Sequence, residues 1–280
     1  FGCGTALVTP FMADGSIDEV ALRALVEWQV GEGVHMVIPC GSTGEAVTLA
    51  PAEHRRVVEI TVEQVNGRVP VIAGAGSNDT QRAIATSREM KAIGATHLLH
   101  VTPMYNKPPQ RAMIAHFRAI ADACDLPIVL YNVPARTVTD LLDDTVVELV
   151  RKYPDRIIAI KDASGDRSRV ADHRMGIGRE FCQLSGNDDM ALGFMAMGGV
   201  GCISVTANVA PRLCAQFQAA SLAGDTVRAH ELNERLFPLH QALFTDASPG
   251  PVKYALTRVC DWLGEEVRLP LIPCSAESRR

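Results

Sequence analysis

The chain has 280 residues, room for one large domain or two ordinary ones, and its 47% hydrophobic against 21% charged residues can bury a large core. A net charge of −5 without a basic run leaves no electrostatic footprint for nucleic acid, and no apolar stretch reaches the ~18 residues of a membrane span. The eight cysteines are scattered with no CxxC pair, which argues against metal ligation and for a reduced, cytoplasmic setting.

Short apolar runs recur along the chain, each followed by a turn and a helical pattern, the rhythm of consecutive βα units. The predicted strands are Thr5–Thr9, Met36–Cys40, Pro70–Gly74, His97–Thr102, Pro127–Tyr131, Ile157–Lys161, Phe181–Ser185 and Gly201–Thr206. Between the first five lie "DEVALRALVEWQVGEG", "PAEHRRVVEITVEQV", "DTQRAIATSREMKAIG" and "RAMIAHFRAIADAC", all with apolar residues at helical spacing. Pro51 marks a helix start and Gly94 a helix end. Eight such units suit a (β/α)8 TIM barrel, which typically takes about 250 residues. They occupy residues 1–222, and 223–280, which lack a strand pattern, read as an appended C-terminal helical unit. The competing architecture, an open doubly wound sheet, usually carries a Gly-rich phosphate turn after its first strand. Here the first strand leads instead into "TPFMADGSID". The start at Phe1 reads as a trimmed chain.

In a barrel the chemistry sits at the carboxyl ends of the strands. Those ends carry "GSTGE" (41–45), Ser77 and Asn78, "TPMYNK" (102–107), "YNVPART" (131–137), "KDASGD" (161–166), "SGNDD" (185–189) and "ISVTAN" (203–208). Of 27 basic residues only five are lysines, and among these only Lys161 follows a buried strand. A lysine in dry surroundings loses its proton more easily, its pKa falling from ~10.4 toward ~7–8. The neutral amine can then form a Schiff base with a ketone. On position alone, a solvated strand-end lysine is the commoner case.

In "GSTGE" two glycines bracket Ser42 and Thr43 at a strand-to-helix turn, where free backbone N–H groups and hydroxyls suit a carboxylate; an ordinary turn is the alternative. Glu45 reads as a structural carboxylate. Tyr131 ends an apolar strand and Tyr105 lies in the preceding strand's loop; phenols there can pass protons or simply pack. Arg136, on the loop after Pro134, suits a second carboxylate or a surface salt bridge. The histidines lack metal-site spacing and read as structural, and no Ser-His-Asp arrangement is implied.

Taken together, "GTALVTPF", "GSTGE", "TPMYNKPPQ", "YNVPARTV", "IKDASGD", "SGND", "GCISVTANVAP" and "PVKYAL" resemble the 4-hydroxy-tetrahydrodipicolinate synthases (dihydrodipicolinate synthases) over almost the whole chain. That family belongs to the pyruvate-dependent class I aldolase superfamily, which includes N-acetylneuraminate lyase. The resemblance implies a Schiff base between Lys161 and pyruvate, carboxylate binding by Thr43 with Ser42, and a proton relay of Ser42, Tyr131 and Tyr105, with Tyr105 supplied by a neighbouring subunit. It also implies that Arg136 orients L-aspartate-4-semialdehyde and that Gly186 and Ile203 line the pocket through backbone groups. It implies homodimers or homotetramers, a cytoplasmic setting in diaminopimelate and lysine biosynthesis, and no metal or organic cofactor. A sister aldolase or lyase acting on sugar-derived substrates is the nearest alternative: Ser42 stands where the synthases usually have threonine, while Arg136 favours the synthase. A non-catalytic keto-acid sensor and a pyridoxal-phosphate barrel fit less well. "SPGPVKYAL" departs from the usual Asn-Pro-Ile-Pro run. At the positions where feedback-sensitive members bind L-lysine this chain has Pro51, Arg82 and Met104, beside His54 and Asn78, so weak or absent inhibition by L-lysine is expected.

Overall fold

The computed structural model describes residues 1–280. In chain order the elements are β1 (Gly2–Ala6), α1 (Glu19–Gly31), β2 (Met36–Ile38), α2 (Pro51–Val65), β3 (Ile72–Gly74), α3 (Thr80–Ile93), β4 (His97–Val101) and α4 (Gln110–Ala123). There follow β5 (Ile128–Asn132), α5 (Pro134–Thr137), α6 (Asp143–Lys152), β6 (Ile157–Asp162), α7 (Arg169–Gly176), β7 (Cys182–Ser185), α8 (Ala191–Ala196), β8 (Gly201–Ser204), α9 (Pro211–Leu222), α10 (Thr226–Ala242) and α11 (Gly250–Thr257). The eight strands share one sheet in the order β2-β1-β8-β7-β6-β5-β4-β3. A parallel bridge joins Val37 to Val71, the residue before β3. This is the (β/α)8 barrel that the alternation of strands and helices predicts. No helix is long and apolar enough to cross a membrane.

Two compact units make up the chain: Phe1 with Ile72–Cys202, and Gly2–Val71 with Ile203–Arg280. In the first, Met113, Phe117, Ile120, Val146 and Leu149 from α4 and α6 pack with Ile128, Leu130, Ile157 and Ile160 from β5 and β6. Side chains alternate between the two faces of a strand. With Leu130 and Ile160 on the helix-covered face, Tyr131 and Lys161 turn to the other. These two are register partners, as are Asn132 and Asp162 after them. The carboxyl ends of β5 and β6 are thus level, and that sets the site.

All eight predicted strands shift by a residue or more at one or both ends, and two of these shifts matter here. The first strand is Gly2–Ala6 rather than Thr5–Thr9. Glycines weaken a strand signal, so "GCG" reads as a lead-in. Beyond Ala6 the Val8 amide donates to the Asn208 side chain instead of a strand partner. Lys161 is not the last residue of its strand, because Asp162 continues the ladder with Asn132 and Ser185.

The first unit holds two neutral histidines. His100 Nε2 lies 3.1 Å from Ser87 Oγ, and His116 Nδ1 lies 2.9 Å from Thr80 Oγ1. Burial pushes the His100 imidazole down to about 3 and that of His116 down to about 4, the latter against the opposing pull of Asp79. Below the unfolded value of 6.5 the unfolded chain takes up protons that the folded chain refuses. Stability should therefore fall as pH drops from 6.5 toward 4, by up to about 1.4 kcal/mol per pH unit for each residue. Denaturant midpoints at pH 7 and pH 5 check this, and equal midpoints would contradict it.

Candidate active site

Lys161 is 6% exposed and its Nζ sits 4.2 Å from the centroid of the Tyr131 ring. No carboxylate pairs with it. Its amine therefore has an aromatic face beside it and no ion-pair partner. Gly186 gives the lysine its space. A Cβ there would lie 3.1 Å from Lys161 Cε and 2.8 Å from the Ala163 methyl. The Gly186 amide donates to Asp162 O at 2.6 Å and the Ala163 amide to Asn132 O at 2.8 Å, which ties the ends of β5, β6 and β7 together.

The residues just past the pair are locked from the helix side. Asp162 Oδ1 accepts the Ser164 amide and hydroxyl at 2.7 and 2.6 Å, shaping the turn after β6. The Asn132 carboxamide donates to Asp140 Oδ1 at 2.8 Å and accepts the Leu141 amide at 3.0 Å. Arg169 then grips both oxygens of Asp140, at 3.0 and 2.6 Å. Burial works to raise the Asp140 carboxyl, but the Arg169 and Asn132 hydrogen bonds outweigh it and hold the group below the usual carboxylate range. This clamp fixes the register on which the Lys161–Tyr131 contact depends.

Arg136 lies on the one-turn α5 and is exposed. Its guanidinium makes no ion pair within the chain, unlike Arg169, so it is available to an outside carboxylate. Its helix is held from beneath by Thr137, whose hydroxyl donates to Thr139 O at 2.9 Å and accepts from Thr102 Oγ1 at 3.2 Å. Tyr105 is 88% exposed and has φ 75. A bulky residue in the left-handed region is uncommon and needs a reason.

In the other unit, "GSTGE" forms a tight turn after β2. The Gly44 and Ala46 amides donate to Gly41 O, and the Glu45 amide donates to Ser42 O. The Ser42 and Thr43 amides donate to no acceptor in the chain, and neither hydroxyl is engaged. Consecutive free donors of this kind can accept an anion. Ser42 is exposed and Thr43 is 8% exposed. Ile203 is a fully buried member of β8.

The lysine count concealed one feature. Lys253, near the start of α11, is more deeply buried than Lys161, at 0% exposed. Its Nζ donates to Glu45 Oε1 and to Glu266 O, both at 2.6 Å. Burial pushes its ammonium down to about 8, against the pull of the Glu45 carboxylate. Burial alone therefore does not single out a nucleophile. Lys253 is capped by a carboxylate and a carbonyl, while Lys161 has no ion-pair partner. The sequence signal for Lys253 was its place in "PVKYAL", a charge inside an apolar helix face. No group of three or more His, Cys, Asp or Glu side chains converges as a metal site.

Residues 1–280 match the dihydrodipicolinate synthetase family. The chain is 62% identical over 275 residues to the 4-hydroxy-tetrahydrodipicolinate synthase of Novosphingobium aromaticivorans, covering 98% of this chain and 93% of that one. It is also 62% identical over 275 residues to the enzyme of the same name from Erythrobacter litoralis, covering 98% and 94%. Among solved structures it resembles dihydrodipicolinate synthase from Aquifex aeolicus (TM-score 0.96, 38% identity, 99% and 94% of the two chains). The chloride-inhibited Acinetobacter baumannii synthase complexed with pyruvate is as similar (TM-score 0.96, 40% identity, 99% and 94%).

Proposed function

The chain belongs to the dihydrodipicolinate synthetase family and condenses pyruvate with L-aspartate-4-semialdehyde to 4-hydroxy-tetrahydrodipicolinate, and we propose how its residues divide that reaction. Lys161 Nζ attacks the ketone carbon of pyruvate. The carbinolamine loses water and becomes an imine. Tyr131, whose ring lies against Lys161 Nζ, carries protons to and from the leaving oxygen through a relay with Ser42 and Tyr105. Loss of a methyl proton then gives the enamine. Its carbon attacks the aldehyde of the semialdehyde, whose oxygen takes up a proton and becomes the 4-hydroxyl. The amino group of the same molecule adds to the imine carbon and displaces Lys161, which closes the ring and frees the enzyme.

Thr43 and Ser42 hold the pyruvate carboxylate with their free amides and hydroxyls. Arg136 holds the carboxylate of the second substrate, which its unpaired guanidinium supports. Gly186 seats the lysine, and with Ile203 it lines the pocket through backbone groups. The sequence is redox-neutral and the imine is its electron sink, so the chemistry is complete with pyruvate as the covalently bound partner and no further cofactor. The exposure of Tyr105 and its left-handed backbone support a homodimer or homotetramer in which that phenol enters a neighbour's site. Eight scattered cysteines without a CxxC pair support the cytoplasm as its compartment.

The observation that carries the reading is a buried lysine with no carboxylate, packed against a tyrosine ring. Borohydride reduction in the presence of pyruvate, followed by peptide mapping, tests it. The expected adduct is on the peptide containing Lys161; an adduct on Lys253, or none, would sink the proposal.

A further inference from the structure

"PVKYAL" and Glu45 have no part in the chemistry above, yet together they form the most deeply buried ion pair in the chain, with both side chains 0% exposed. Glu45 closes the turn that carries Ser42 and Thr43. Its φ is 55, and that of Cys40, at the start of the turn, is 56. Residues with side chains persist in this left-handed region only where their surroundings enforce it. Both Glu45 oxygens are occupied, Oε1 by Lys253 and Oε2 by the Arg268 amide at 3.0 Å. Lys253 Nζ and the Arg268 guanidinium each lie 4.3 Å from the centroid of the Phe11 ring. Arg268 also bonds both oxygens of Glu53 and the carbonyls of Gly15 and Thr48. Thr9 Oγ1 donates to Gly44 O at 2.7 Å. The turn is thus bolted to α11 and to the segment around residues 266–268.

We infer that Lys253 is a positioning residue for the reaction: through Glu45 it holds the Gly41–Glu45 turn in the left-handed geometry that presents the Ser42 and Thr43 amides and hydroxyls together to the pyruvate carboxylate. The inference rests on the proposed role of that turn. A plain salt bridge could stabilise the fold from many places. This one grips the single residue whose backbone conformation closes the turn, and its partner lies more than two hundred positions away in the sequence. A buried ion pair is weak evidence for stability, since apolar replacements of similar volume often match it. Fixing one geometry among several is the better-attested use of such a pair.

The test is the double variant K253M/E45Q, which removes both charges together so that neither is left buried without its counter-charge, alongside T43A. For K253M/E45Q the KM for pyruvate should rise about tenfold or more, while the KM for the semialdehyde stays within about twofold. Lys161 should still be trapped by borohydride at saturating pyruvate. T43A should raise the pyruvate KM by itself. If T43A leaves it unchanged, the carboxylate role of the turn fails and the inference falls with it. If T43A raises it and the double variant does not, the turn stands and Lys253 does not position it. A double variant that loses thermal stability and kcat with no selective change in pyruvate KM assigns the pair to folding alone and also overturns the inference.

Discussion

Replacing Lys161 by methionine should lower kcat at least about 10³-fold, the loss expected when a covalent nucleophile is removed, equivalent to about 4 kcal/mol of barrier. Methionine nearly matches the lysine stem in volume and carries no charge. At a site where Nζ has a ring for company and no carboxylate, the change should leave the melting temperature unaltered or raise it. Arginine gives the sharper comparison. It keeps the positive charge and the reach, but its guanidinium stays protonated at any relevant pH and cannot form an imine. K161R should therefore be as inactive as K161M and trap no pyruvate. If charge alone mattered, for instance to attract a keto acid, K161R would keep substantial activity. Retention of activity within tenfold by either variant would remove Lys161 from the nucleophile role. K253R does not substitute for this control, because Lys253 is already engaged with Glu45 and Glu266.

The eight strands and the residues at their carboxyl ends were legible because buried parallel strands read as apolar runs and because the chain spends so few lysines. The alternation of Leu130 with Tyr131, and of Ile160 with Lys161, already places the candidate pair on one face. The start of β1 was not legible. A strand of Gly-Cys-Gly is held by its neighbours rather than by its own propensity, and propensity is all that a short window reports. The Lys253–Glu45 pair was invisible for a different reason. Its members are separated by most of the chain, and neither has a local partner that would betray burial. The same holds for Arg169, whose work on Asp140 and hence on Asn132 appears only once α7 is folded beside α6 and the segment leading into it. Glu45 shows how near a sequence reading can come: it was read as a structural carboxylate, and what it structures became plain only with its partner.

Asn208 should prove highly sensitive to change although it takes no part in the reaction. In the sequence it belonged to the strand-end stretch "ISVTAN" and so stood among residues that could carry chemistry. In the structure it is 0% exposed and its carboxamide is spent on backbone. Nδ2 donates to Ala6 O at 2.8 Å and to Val205 O at 2.9 Å, while Oδ1 accepts the Val8 amide at 3.1 Å. Its own carbonyl accepts from Gln29 Nε2 at 3.2 Å, and the Gln29 carboxamide oxygen accepts Thr5 Oγ1 at 2.7 Å. Val205 O also takes the Asn208 amide, so it keeps a partner in N208A, whereas the Val8 amide loses the acceptor it has. A buried polar group left without a partner costs roughly 1–3 kcal/mol, and at least one such group is created together with a void. N208A should therefore destabilise by about 3 kcal/mol, or about 6–12 °C in melting temperature for a chain of this size. N208D keeps the volume and the acceptor but removes both donated bonds and buries a carboxylate, so it should cost more than N208A. An active-site residue would behave otherwise, losing turnover while melting normally. N208A assayed well below its melting point should still form the pyruvate adduct on Lys161. A variant that melts within about 2 °C of the parent and yet fails to trap pyruvate would move Asn208 back from architecture to chemistry.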